Sequence, residues 1–251
     1  MANPPETSIL SYFRHARFAV LLFLLGSLML AAPFFGAVDI RSKSGLAEIS
    51  LGILFVSMLM SAAHAAAQSR VSMIVAWCLL APLIVIWIID IATGPNNTIA
   101  VARHTVGLAY VGYVILLIFR YLFATVRVTV NTIAASLCIY FLIAIVWAEI
   151  YSIMEIANPG SFQIIGADIK DVSLELGGEG TALALYYSLV TLTTLGYGDI
   201  VPRTAPARMF AAMEAVTGQM YLAVLVARLV GMHIVHSRDD SRRPDNEDDG
   251  R

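Results

Sequence analysis

Thr193-Thr194-Leu195-Gly196-Tyr197-Gly198-Asp199 carries two glycines at alternate positions on either side of a single tyrosine. Successive carbonyls can share one direction only where alternate residues accept dihedrals that a Cβ disfavours, and Gly196 and Gly198 permit that. Leu195 and Tyr197 would then project to the other side and brace the loop. The stretch completes a longer string, Tyr186-Tyr187-Ser188-Leu189-Val190-Thr191-Leu192 before it and Ile200-Val201-Pro202 after it. Leu183–Thr194 is apolar yet too short to cross a bilayer, while a long apolar segment lies on each side. A short apolar helix of that kind is tolerated in a membrane only when buried in protein, as a re-entrant element.

Composition agrees with a lipid setting. Of 251 residues, 59% are hydrophobic and 14% charged, where soluble domains carry about 25% charge. Six stretches have the roughly 20 apolar residues a spanning helix needs: Phe18–Ala37, Leu46–Ala67, Val71–Ile91, Thr105–Phe123, Thr132–Tyr151 and Met209–Val230. Arg14 and Arg17 before the first resemble a signal peptide, but its apolar run continues to Val38, longer than the core of such peptides. It reads as a retained helix. The net charge of −2 offers no basic surface for nucleic acid. Cys78 and Cys138 sit in apolar runs and read as small core residues, not as a disulfide or metal pair. With both termini inside, ten of the 16 basic residues fall on the cytoplasmic side, the direction of the positive-inside rule.

Over Tyr186–Pro202, with an apolar segment on each side, the chain resembles the potassium channel family. The expected fold is therefore an all-α membrane protein of six transmembrane helices, with a re-entrant pore helix and a selectivity-filter loop between helices five and six. Gly218-Gln219-Met220-Tyr221 and Ala227-Arg228-Leu229-Val230-Gly231 are similar to prokaryotic six-helix channels whose first four helices lack sensor charges. The resemblance implies an integral plasma-membrane channel, in the prokaryotic inner membrane, that passes K⁺ passively and is not an enzyme. Its partners would be three further copies of itself, as a homotetramer, and membrane lipid, with no soluble partner and no nucleic acid. It implies no cofactor; K⁺ is the permeant ligand, held at Thr194, Leu195, Gly196 and Tyr197 by rings of backbone carbonyls that replace its water shell, with the Thr194 hydroxyl innermost and Gly198 closing the filter.

The same resemblance assigns supports. Tyr186 and Tyr187 match an aromatic pair that packs around the filter, although interface anchoring also suits two tyrosines. Asp199 would accept a hydrogen bond from a pore-helix aromatic, Tyr186 being placed for it. Glu149, near the end of the fifth helix, would cap backbone amides at the start of the sixth, with Glu155 facing water. Gly218 matches the hinge of the inner helix, and close helix packing fits it equally.

Four regions follow: a cytoplasmic segment over 1–17, a sensor-like four-helix domain over 18–127, a pore domain over 128–236 and a disordered acidic tail over 237–251. Between Arg103 and Arg120 the fourth helix carries no basic residue, so strong voltage gating is not expected. Asp90 and Arg103 flank one turn and can pair. Asn96-Asn97-Thr98 matches a glycosylation sequon, acids outnumber bases in Asp168–Glu179, and His233 and His236 follow the sixth helix. Two other readings compete: a weakly selective cation channel, and a K⁺ transporter or regulatory subunit. The single complete filter in so short a chain speaks against a transporter.

Overall fold

A computed structural model describes residues 17–42, 46–67, 69–93, 96–125, 129–165 and 178–240. Helices α1 (Arg17–Ser42), α2 (Leu46–Ala66), α3 (Arg70–Thr93), α4 (Asn97–Ala124) and α5 (Val130–Ala157) precede strand β1 (Phe162–Ile164). Helix α6 (Gly178–Leu192), strand β2 (Ile200–Pro202) and helix α7 (Ala205–Asp240) follow. Arg127, the segment before Arg17, most of the acidic stretch 168–179, the side chains of His233 and His236, and the tail beyond Asp240 lie outside the described residues.

Caps explain where the helices begin. Asn96 Oδ1 accepts from the Thr98 amide at 2.9 Å and the Ile99 amide at 3.4 Å, satisfying two of the amides that a helix start leaves open. Helix α4 therefore starts at Asn97, ahead of the expected Thr105, and the sequon asparagine is a cap. Thr129 and Thr132 form a capping box that starts α5 at Val130. Helix α7 starts at Ala205, after Pro202, and continues to Asp240, beyond the expected end of the pore region at 236.

By length and composition, four described helices can cross a membrane: Arg70–Asp90, Asn97–Ala124, Val130–Ala157 and Ala205–Arg228. The apolar stretches of α1 and α2 among the described side chains, Arg17–Leu30 and Ile53–Ala66, are shorter. The all-α expectation also missed a two-stranded antiparallel ribbon, which pairs Phe162 with Pro202 and Ile164 with Ile200. It clasps the segment after α5 to the segment after the glycine-rich loop.

The main core joins α1 through α5, with Leu25, Met58, Leu80, Ile118 and Leu142 all within 1% of complete burial. In lipid such cores gain little from the hydrophobic effect and lean on packing and hydrogen bonds. Three tyrosines supply the latter. Tyr110 donates to the Leu59 carbonyl, Tyr113 to the Ser72 carbonyl at 3.1 Å, and Tyr221 to the Ser136 carbonyl at 2.6 Å. Both cysteines are free; Cys138 is in the core, whereas Cys78 is exposed, contrary to its expected core role.

A polar chain crosses three helices near the α3–α4 turn. Asp90 pairs with Arg103 at 3.3 Å, and buried His104 meets buried Glu149 with Nδ1 and Oε2 2.5 Å apart. Gly107, one turn beyond His104, leaves room for that carboxylate; a Cβ there would touch Glu149 Oε1 at 3.4 Å. The expectation for Glu149 is thereby corrected: its partner is His104 of α4, not the amides at the start of the last helix. Amide capping belongs instead to Glu155, which is buried rather than facing water. Its Oε1 accepts from the Gly160 amide at 2.7 Å and its Oε2 from the Phe162 amide at 3.1 Å.

Replacing Glu149 by Leu strands the His104 ring in the core, and an unsatisfied buried polar group costs about 1–3 kcal/mol. Thermal unfolding in detergent should show that loss in Glu149→Leu, and the double variant with His104→Leu should recover part of it. Additive losses would show that the two side chains are not coupled.

Candidate functional site

Helix α6 ends in a way that shapes everything after it. The Leu195 amide donates to the Val190 carbonyl at 2.9 Å and the Thr194 amide to the Thr191 carbonyl at 2.9 Å. This is the Schellman pattern, in which the residue past the helix end is left-handed and usually glycine. Here that residue is Thr194, with φ 58°. Gly196 and Gly198 follow at φ 60° and 78°. The alternation expected from the two glycines thus starts one step earlier, on a residue with a side chain. A left-handed non-glycine costs roughly 1–2 kcal/mol, so the position retains threonine against a backbone preference, which points to a use for its hydroxyl. Gln219 Nε2 lies 3.5 Å from that hydroxyl.

The far end of the loop is held at Asp199. Tyr186 donates its hydroxyl to Asp199 Oδ2 at 2.6 Å, the partnership the sequence suggests. That bond, with a further one from the Ile200 amide to Oδ1 at 3.0 Å, holds the Asp199 carboxyl below the usual carboxylate range. Its backbone carbonyl accepts from the Ile165 amide at 2.7 Å, tying the loop to the ribbon. Tyr187 does something different from its neighbour. It is buried edge-on between Tyr151 and Phe162, at centroid distances of 5.1 and 5.2 Å. One tyrosine fixes the loop, and the other seats α6 against α5 and the ribbon. Glu149 is remote from this set, in its pair with His104.

Between these anchors the loop has little cover of its own. Leu195 is 55% and Tyr197 67% exposed in the single chain. Behind the loop, α7 presses on α6. A Cβ at Gly218 would fall 2.2 Å from the Leu192 carbonyl oxygen, so close packing is the role the geometry gives Gly218.

One residue at this contact went unread in the sequence. Glu214, fully buried on α7, accepts from the Ser188 hydroxyl at 2.5 Å and the Tyr151 hydroxyl at 2.5 Å. A signal was available, since an acid within an apolar membrane-length helix is a functional candidate by default. His104 was missed because its partner lies 45 residues away.

Gly218→Ala should force α7 off α6, an overpacking cost of about 1–3 kcal/mol, measurable as a lower unfolding temperature in detergent. An unchanged temperature with altered opening would instead favour a hinge.

Comparison with known proteins agrees with this geometry. Residues 127–233 match the ion channel family. Over 64 residues the chain is 34% identical to the A-type voltage-gated potassium channel KCND3 of Rattus norvegicus, covering 24% of this chain and 10% of that protein. The KCND3 channels of Homo sapiens and Oryctolagus cuniculus give the same values. The chain spans about a tenth of the length of these relatives. No solved structure gives a significant match. Residues 127–233 thus match an ion channel domain, and with several helices long and apolar enough to span a bilayer the chain has the make-up of a multi-pass membrane protein.

Proposed function

We propose that four copies of this chain assemble about one axis into a pore that conducts K⁺ selectively and passively across the plasma membrane. The observation that carries this reading is the run of left-handed residues at Thr194, Gly196 and Gly198. Alternating hands in successive residues turn the carbonyls of Thr194, Leu195, Gly196 and Tyr197 to one side of the loop. Four such loops stack rings of oxygens that replace the hydration shell of K⁺, with the Thr194 hydroxyls forming the innermost ring. The carbonyls are fixed before the ion arrives, by the Schellman end of α6 on one side and Asp199 on the other.

One loop cannot enclose an ion, and uncovered apolar groups of the single chain support assembly. Leu195 and Tyr197 are uncovered, and Met209, Met213, Val216 and Met220 form an exposed stripe down α7. Neighbouring copies would cover these groups. In this reading α1 and α2 also cross, giving six spans with α6 re-entrant and both termini cytoplasmic. A weakly selective cation channel is the second reading, because the same loop with looser bracing would also admit Na⁺.

Bi-ionic recording from purified protein in liposomes tests the choice. The reversal potential should lie close to the K⁺ equilibrium value, and mass measurement in mild detergent should give a tetramer. Equal Na⁺ and K⁺ permeability, or a stable monomer, would overturn the proposal. A Cβ on Gly198 meets open space, so the cost of Gly198→Ala arises from φ alone, about 1–2 kcal/mol in each subunit. Selectivity or current should be lost in that variant while the protein still folds.

Gating follows from α4. Voltage sensing needs several charges crossing the field, each worth about 2.3 kcal/mol per 100 mV. On α4 Arg103 is paired with Asp90 near the start, and Arg120 is exposed near the end, where it can reach water. Open probability should therefore vary only weakly with voltage, and Arg120→Gln should leave the slope of the conductance–voltage curve nearly unchanged. A steep curve that flattens in Arg120→Gln would identify Arg120 as a sensor.

A further inference from the structure

We infer that Glu214 is a positioning residue for ion selection, acting on the filter through the helix that carries it. This inference rests on the proposed channel function and adds a residue that the filter sequence does not contain. Glu214 is completely buried, and its two carboxylate oxygens are divided between two helices. Oε1 takes the Ser188 hydroxyl of α6 and Oε2 takes the Tyr151 hydroxyl of α5, each at 2.5 Å. Ser188 also lies 2.8 Å from the Ala144 carbonyl of α5, so one hydroxyl sits among all three helices.

The register of this contact gives it its effect. Glu214 and Gly218 are one turn apart on α7, and they meet Ser188 and Leu192, one turn apart on α6. The two helices are thus held at two successive turns, one by hydrogen bonds and one by backbone contact. Leu192 is the last residue of α6, and Thr194, the first left-handed residue of the loop, comes two residues later. Any slip of α6 along its axis would carry the Thr194 oxygens with it. A helix held only by apolar contacts in lipid has little to stop such a slip, because neighbouring hydrocarbon is as good a partner. Buried hydrogen bonds with fixed partners do resist it. Tyr151 serves twice, since its ring also packs at 5.1 Å on Tyr187, the neighbour of Ser188 on α6.

The test compares K⁺ over Na⁺ permeability in liposomes for four variants beside the wild type. Glu214→Ala should raise the Na⁺ to K⁺ permeability ratio about tenfold, the scale of two modest hydrogen bonds lost together. Glu214→Gln should stay within about twofold of wild type, because an amide can still accept from one hydroxyl and donate to the other. That rescue separates positioning from a requirement for charge. If Glu214→Ala fails to assemble, Ser188→Ala and Tyr151→Phe each remove one donor, and each should raise the ratio at least about threefold. The inference is overturned if the assembled alanine variants keep wild-type selectivity, or if Glu214→Gln is as impaired as Glu214→Ala. A wild type that does not distinguish K⁺ from Na⁺ would instead remove the proposed function itself, together with this inference.

Discussion

A peptide segment whose residues alternate in hand cannot hold itself. Neither helix nor strand hydrogen bonding is available to the stretch from Thr194 to Gly198, because both require a run of residues of one hand. Its shape must be imposed from outside, and the surrounding structure is arranged to do so. The Val190 and Thr191 carbonyls fix the start through the end of α6. The Tyr186 hydroxyl and the Ile165 amide fix the finish at Asp199. Glu155, by capping the amides of Gly160 and Phe162, fixes the strand that carries Ile165 into place. Each anchor depends on the next, and the series ends in α5.

What could be read from the sequence divides by range. The loop was legible because its constraint is local: glycine alternation is visible in five residues, and Tyr186 and Asp199 are only 13 apart. The helices were legible as apolar runs, with ends shifted where Asn96 and Thr129 act as caps. Thr194 was not foreseen as left-handed, since its side chain argues against it and only the hydrogen bonds at the end of α6 require it. Glu149 and Glu155 were both misassigned for a related reason. Six residues apart on one helix, they point to different faces, and sequence does not say which face meets α4. Glu214 needed knowledge of two partners, 26 and 63 residues away. Long-range polar pairing is the part of this fold that periodicity does not encode.

The leading helices are attached to the proposed pore at two levels, and this bears on what they can do. Near the start of α4, His104 is bonded to Glu149 of α5. At its other end, Arg228 of α7 donates to the Leu122 carbonyl and, at 3.3 Å, to the Thr125 carbonyl. The last carbonyls of a helix have no partners within it and form the negative end of its dipole, so a half-buried arginine is well suited to that place. Its guanidinium also lies 5.4 Å from the Phe123 ring, as that of Arg17 lies 5.1 Å from the Phe18 ring. A helix that slides to report voltage would break both attachments at every movement. A helix anchored at both ends transmits displacement instead: whatever shifts α4 must pull on α5 at one level and on α7 at the other. The four leading helices are thus joined to the channel domain by polar contacts at both ends of α4.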